Sequence, residues 1–62
     1  MLAYRDGALL WRSGDQVHLL TLASGRDRDT GLVLTTPNAV AVGIPGGFLV
    51  ATDSVSYEIA QP

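Results

Sequence analysis

Residues 39–52 read AVAVGIPGGFLVAT, and this stretch decides the fold class. Two uncharged apolar runs flank the triplet Pro-Gly-Gly at residues 45–47. Pro presets φ at the first position of a turn and Gly accepts a positive φ at the next, so the triplet favours a tight hairpin. The runs are short and show no helical period. The stretch therefore predicts two antiparallel strands, at 39–43 and 48–52.

Short apolar runs alternate with turn residues in the rest of the chain as well. Asp-Gly at 6–7 is a hairpin signal, Ser-Gly-Asp at 13–15 is a turn, and Ala-Ser-Gly at 23–25 closes a longer turn. The predicted strands are 2–5, 8–12, 16–22, 32–35, 39–43, 48–52 and 55–60. We therefore predict an all-β fold, an antiparallel meander of short strands without helices.

Length and composition exclude several classes of protein. A chain of 62 residues is one domain at most, and chains this small usually need a disulfide, a metal or a partner to be stable. It contains no Cys, which excludes disulfides, a thiolate nucleophile and a Cys-based zinc site. The hydrophobic fraction of 47% is too high for a disordered chain. The net charge of -2 argues against a nucleic-acid partner.

Residues 30–52 carry no charge, which raises the question of a membrane span. Pro37, Pro45 and several Gly interrupt this stretch, so it is not expected to form a transmembrane helix. Residues 1–4 lack the basic region of a signal peptide, and no long apolar region follows them. We therefore expect no membrane partner and a soluble, cytoplasmic location.

Several strands are apolar on both faces. A strand with one face in water alternates apolar and polar residues, whereas residues 8–11, 32–34, 39–42 and 48–51 are continuously apolar. The chain has no predicted helix to cover a sheet, so other sheets must lie on both sides. A meander of this length cannot supply them all. The missing cover is expected from self-association or from the remainder of a larger protein, with a separate protein partner as a further alternative.

An internal repeat is consistent with stacked sheets. Residues 7–12, GALLWR, match residues 47–52, GFLVAT, in pattern. Each run is followed by a turn that contains Asp, and then by a strand that opens with Val17 or Val55. The repeat thus aligns Gly7 with Gly47 and Val17 with Val55. The offset along the chain is smaller for the Val pair than for the Gly pair, which fits a shorter hairpin turn in the second copy.

Two runs resemble the blades of β-propeller proteins. Residues 38–59, NAVAVGIPGGFLVATDSVSYEI, resemble the first three strands of a WD-repeat blade, and residues 6–26, DGALLWRSGDQVHLLTLASGR, look like the same unit. The end of the second run, residues 22–26, equally resembles the turn of quinoprotein-type propeller repeats. The Trp-Asp dipeptide of WD repeats and the Gly-His pair before a blade are absent. The resemblance implies a first blade-like unit at 1–36 and a partial second unit at 37–62.

Because a closed propeller has about four to eight blades, the resemblance implies that this chain forms only part of one. The implied function is a non-catalytic propeller segment that serves as a scaffold for assembly or protein–protein interaction. Two alternatives stay open: a small self-contained β-barrel that acts as a binding module, and a fragment of a propeller-containing enzyme. We expect no enzyme activity and no cofactor, because the sequence offers no recognisable set of catalytic or metal-binding residues.

His18 is the only His, and it lies between Val17 and Leu19 in a predicted strand, which favours a structural role. Ser13 and Asp15 lie close to it in the sequence. The three members of a triad must converge in space, whereas side chains along one hairpin point in different directions. We therefore predict no catalytic residue.

Residues 27–31, DRDTG, open like a calcium-binding loop. Gly31 stands where a third acid would be needed, and no further acid follows before Asp53. We therefore expect a solvated loop whose charges compensate one another, and no metal site.

The candidate interaction anchors are Trp11, Arg12 and Tyr57. Trp, Arg and Tyr are the residue types most enriched at interaction hot spots, and Arg12 and Tyr57 could lie near Trp11. In a propeller-like repeat, however, the only Trp of the chain would be expected to fill the space between neighbouring blades.

Overall fold

The computed structural model describes residues 2–61, which form seven strands. The strands are β1 (Ala3–Arg5), β2 (Ala8–Ser13), β3 (Gln16–Thr21), β4 (Arg26–Val33), β5 (Val40–Ile44), β6 (Gly47–Ala51) and β7 (Ser56–Ala60). The prediction of an all-β antiparallel meander is confirmed. Within these described residues there is no helix that could cross a membrane.

Strand pairing divides the molecule into two sheets. Strands β1 to β4 form a four-stranded sheet in chain order, called here the first sheet, and β5 to β7 form a three-stranded second sheet. Every hydrogen-bonded pair is antiparallel and joins strands that are consecutive in sequence. The backbones of the two sheets come closest along β1 and β5.

The hairpin predicted for residues 39–52 is present. Ile44 pairs with Gly47, so Pro45 and Gly46 form its two-residue turn. Gly46 has a φ of +83°, which suits the third position of a type II turn and which L-residues rarely adopt. In the corresponding β1–β2 turn, Asp6 and Gly7 both have positive φ, as in a type I′ turn.

Strand β4 corrects one prediction. Residues 27–31 form part of a strand and not a solvated loop: His18 pairs with Asp29 and Leu20 with Asp27. Asp has a low β-propensity, which obscured the strand in the sequence. Because β4 is an outer strand of the first sheet, its charged side chains remain in contact with water, and charges on such a strand discourage further strand pairing.

The pairing register of β3 and β4 shifts between Gln16 and His18, so the second half of β4 pairs in a different register from the first half. Gln16 pairs with Val33, so the strand predicted at 32–35 is the end of β4, which stops at Val33.

The core lies between the two sheets and is apolar. One face of each sheet supplies the buried side chains Ala8, Leu10, Val17, Leu19, Phe48, Val50 and Ile59, and Leu34 adds one more directly after β4. Apolar burial of this kind is the main stabilising term for such a fold, on the order of 25 cal/mol per Å². One sheet–sheet layer therefore holds the molecule together.

Polar contacts at the rim of the core join the sheets directly. Arg28 donates from Nη2 to the carbonyl oxygen of Ala60 at 3.0 Å, and Gln61 donates from Nε2 to the carbonyl oxygen of Asp6 at 3.3 Å. Each contact uses a side chain from one sheet or its flank and a backbone acceptor from the other. These contacts fix how the sheets are placed relative to each other, because hydrogen bonds are directional and apolar packing is not.

Candidate functional site

The two sheets repeat the same hairpin register at a constant offset along the chain. Leu10 pairs with Leu19 in the first sheet, and Leu49 pairs with Glu58 in the second, so both members of the pair are shifted by the same number of positions. The β1–β2 and β5–β6 ladders show the same shift, since Arg5 and Ala8 correspond to Ile44 and Gly47. We call this constant shift the repeat offset.

The alignment inferred from the sequence is wrong for the strand ladders. It paired Gly7 with Gly47 and Val17 with Val55, whereas the repeat offset places Gly46 at the position of Gly7 and Ser56 at that of Val17. The sequence alignment matched apolar runs instead of turns. It therefore missed the common register by one position at each end.

The two sheets bury opposite faces of this common unit. Leu10 is buried in the first sheet, whereas its equivalent Leu49 lies on the outer face of the second. Phe48 is buried in the second sheet, whereas its equivalent Leu9 lies on the outer face of the first. The sheets therefore stack head to tail, with the front of one unit against the back of the next. A two-fold arrangement would have buried the same face of both.

The outer face of the first sheet matches the buried face of the second in residue type. The matched pairs are Leu9 with Phe48, Trp11 with Val50, His18 with Tyr57, and Leu20 with Ile59. All four residues of the first sheet are half-buried. We call them the Leu9 face. The Leu9 face thus presents residues similar to those with which the second sheet packs on the first.

The outer face of the second sheet is apolar over β5 and β6. It consists of Val40, Val42, Ile44, Leu49, Ala51 and Glu58, which we call the Leu49 face. The side chains of Val40 and Val42 are 69% and 54% exposed. On β6, Gly47 and Leu49 stand for the buried Ala8 and Leu10 of the first sheet, whereas Ala51 stands for Arg12. On β7 the face departs further, because Ser56 and Glu58 stand for the buried Val17 and Leu19.

Trp11, His18 and Asp27 form a compact cluster on the Leu9 face. The rings of Trp11 and His18 stack with centroids 4.6 Å apart and an angle of 23° between planes. Asp27 bridges both rings: Trp11 Nε1 donates to Oδ1 at 2.7 Å, and His18 Nδ1 lies 2.9 Å from Oδ2. Sequence reasoning placed Asp27 in a loop and so missed its contact with Trp11 and His18, which the structure pairs across the β2–β3 hairpin.

The cluster constrains the chemistry of His18. A carboxylate accepts hydrogen bonds and does not donate them, so the contact with Asp27 requires a proton on Nδ1 of His18. Ser13 and Asp15 do not share in this arrangement; Asp15 instead lies 3.8 Å from Arg12. Among residues 2–61 there is no group of three or more His, Cys, Asp or Glu side chains that could hold a metal ion. The cluster thus orients two aromatic rings at the surface.

The structure separates the three predicted anchors. Trp11 and Arg12 are neighbours in β2, so their side chains lie on opposite faces of the first sheet. Arg12 donates from Nη2 to the carbonyl oxygen of Leu34 at 2.9 Å. Leu34 and Tyr57 line the same shallow depression of about 300 Å³. Arg12 and Tyr57 therefore approach the sheet–sheet junction, and Trp11 lies on the Leu9 face, away from the space between the sheets that it was expected to fill.

Comparison with known proteins adds no assignment. No protein-family model, curated protein or solved structure matches the chain.

Proposed function

We propose that the chain is a non-catalytic, propeller-like segment that serves as a scaffold for assembly or protein–protein interaction in the cytoplasm. The supporting observation is the head-to-tail stacking of two units with the same register. Stacking of this type leaves a front face at one end and a back face at the other, so that further sheets could be added to both. Blades of a propeller are arranged in this way around a central axis.

The exposed apolar residues support a role in binding other protein. Soluble monomers rarely expose large contiguous apolar patches, and such patches commonly mark interaction sites. The Leu49 face offers several aliphatic side chains beside a single acid, and the Leu9 face adds a rigid aromatic pair. Trp and other large aromatic residues frequently anchor protein interfaces.

The two alternative functions fit the geometry less well. A closed β-barrel binding module needs hydrogen-bonded strands all around one core, whereas the strands here pair within two separate sheets. An enzyme fragment would need a nucleophile, a metal site or a cofactor site near His18, and the cluster with Asp27 and Trp11 supplies an oriented ring only.

Sedimentation equilibrium over a wide concentration range, combined with hydrogen exchange, tests the proposal. We expect a species larger than the 6.5 kDa chain, with amides of β6 that exchange more slowly as the protein concentration rises. A monodisperse species of 6.5 kDa with slowly exchanging amides in β6 would contradict the assembly role and favour a self-contained binding module.

A further inference from the structure

The geometry points to a second copy of this chain as the partner of both outer faces: the Leu9 face of one copy docks on the Leu49 face of the next. This inference rests on the proposed assembly role and adds the identity and orientation of the partner. Contact between unlike faces is heterologous, so repeated addition gives a ring if the rotation closes and an open stack if it does not.

The interface inside the chain provides the template. There the buried face of the second sheet, with Phe48 and Ile59, packs on the buried face of the first, with Leu10. In a second copy, Leu9 and Leu20 occupy the positions of Phe48 and Ile59, because the ladders keep the same repeat offset throughout. The Leu9 face thus presents a similar set of aliphatic and aromatic groups in the same strand register.

The Leu49 face corresponds in the same way to the buried face of the first sheet. Leu49 takes the position of Leu10, and Gly47 takes that of Ala8. At the strand edge, Arg5 packs against Gly43 within the chain, where a Cβ on Gly43 would lie 2.8 Å from the Arg5 Cδ. The equivalents at the outer faces are Ile44 of one copy and Tyr4 of the next, which would meet as an apolar pair in the docked arrangement.

Charge distinguishes the new interface from its template. Glu58 lies opposite Leu49, at a position where the first sheet has Leu19. The Leu9 face carries Asp27 beside its rings, and neither outer face carries an Arg: residues 30–62 contain none, and the ladders place all four Arg on the buried-face side of the first sheet. Burial of an unpaired acid is costly. The association is therefore expected to be weaker than the packing within the chain.

A complementation experiment tests the unlike-face contact. Leu9→Glu blocks the Leu9 face, and Val42→Glu blocks the Leu49 face at a residue that is already exposed. We expect each variant alone to lose at least about tenfold in association constant, because a charge enters an apolar contact. An equimolar mixture should form a one-to-one complex and nothing larger, because each variant retains the face that the other needs.

The controls make each outcome decisive. Ala23→Glu adds the same charge in an exposed turn away from both faces and should assemble like the wild type; circular dichroism verifies that every variant is folded. If either blocked variant still dimerises alone, or the mixture stays monomeric while the wild type assembles, the unlike-face contact is wrong and the scaffold role stands. If the wild type itself remains monomeric, both proposals fail.

Glu58→Leu provides a gain-of-function measurement. It restores the residue type of Leu19 at the equivalent position of the Leu49 face. We expect the association constant to rise by about tenfold or more, because an apolar contact replaces a buried charge. The same gain should be absent when Val42→Glu is also present. Unchanged or weaker association in Glu58→Leu would contradict burial of this face against a second copy.

Discussion

The first and second sheets have the same strand register but differ in the number of charged residues on their strands. Six of the residues in the strands of the first sheet are charged, with both acids on its outer face, and its last strand β4 carries four of the six. The strands of the second sheet carry only Glu58. Charged outer strands discourage unwanted pairing. The second sheet has no counterpart of β4 among residues 2–61, so its integrity depends more heavily on burial than that of the first.

The largest expected effect comes from the equivalent residues Phe48 and Leu9. Phe48→Ala leaves a cavity in the core between the sheets and should cost about 3–5 kcal/mol of unfolding free energy. Leu9→Ala truncates a half-buried side chain on an outer face and should cost about 1 kcal/mol. Urea unfolding of a dilute, monomeric sample measures both.

This pair of variants tests whether the two sheets bury opposite faces. Equal losses for Phe48→Ala and Leu9→Ala in the monomer would mean that the two sheets do not bury opposite faces. A loss of unfolding free energy for Leu9→Ala that grows with protein concentration would show that the Leu9 face is buried only on association.

The turn glycines provide the next largest effect. Gly7 and Gly46 have φ of +78° and +83° at equivalent turn positions. Replacement of either by Val should cost about 1–2 kcal/mol, because a left-handed conformation brings Cβ against the backbone. Asn tolerates this region better, so Gly46→Asn is the matched control and should retain most of the stability. Thermal unfolding that is unchanged in Gly46→Val would show that the turn has another conformation.

The smallest effect is expected at the cluster on the Leu9 face. Asp27→Ala removes the acceptor for Trp11 and His18 and should cost about 1 kcal/mol. Because Trp11 is the only Trp, its fluorescence should change with the loss of order. Asp15→Ala is the control: it also removes one acid, but its 3.8 Å ion pair with Arg12, in which the Asp15 side chain is largely exposed, contributes little. An identical fluorescence spectrum for wild type and Asp27→Ala would contradict the bridging role of Asp27.

The sequence predicts much of the fold because its turns are local. The turns predicted at residues 6–7, 13–15 and 45–47 all lie at hairpin connections, and the structure narrows the last two to Gly14-Asp15 and Pro45-Gly46. Strand β4 could not be recognised in this way, since its Asp residues have low β-propensity and its place depends on pairing with β3. The Trp11–His18–Asp27 cluster was missed for the same reason.

Which face of each sheet is buried depends on contacts between distant parts of the chain, and strand patterns alone do not determine it. Continuous apolar runs such as residues 48–51 do not reveal which side a strand buries. The choice becomes apparent only when Phe48 and Val50 are seen against the first sheet. A slip by a single position in an alignment exchanges the two sides, and this is the error that matching Gly7 with Gly47 introduced.

The pairing of each strand only with its neighbour in the chain has a consequence for folding kinetics. Short loops close quickly, and each hairpin is expected to form within about 1–10 μs. The contact between sheets joins residues much further apart, so it depends on prior order in both halves and is expected to set the folding rate. A nascent chain would thus expose the apolar sides of both sheets briefly before they dock. A second copy that meets it in that interval would compete for the same surfaces.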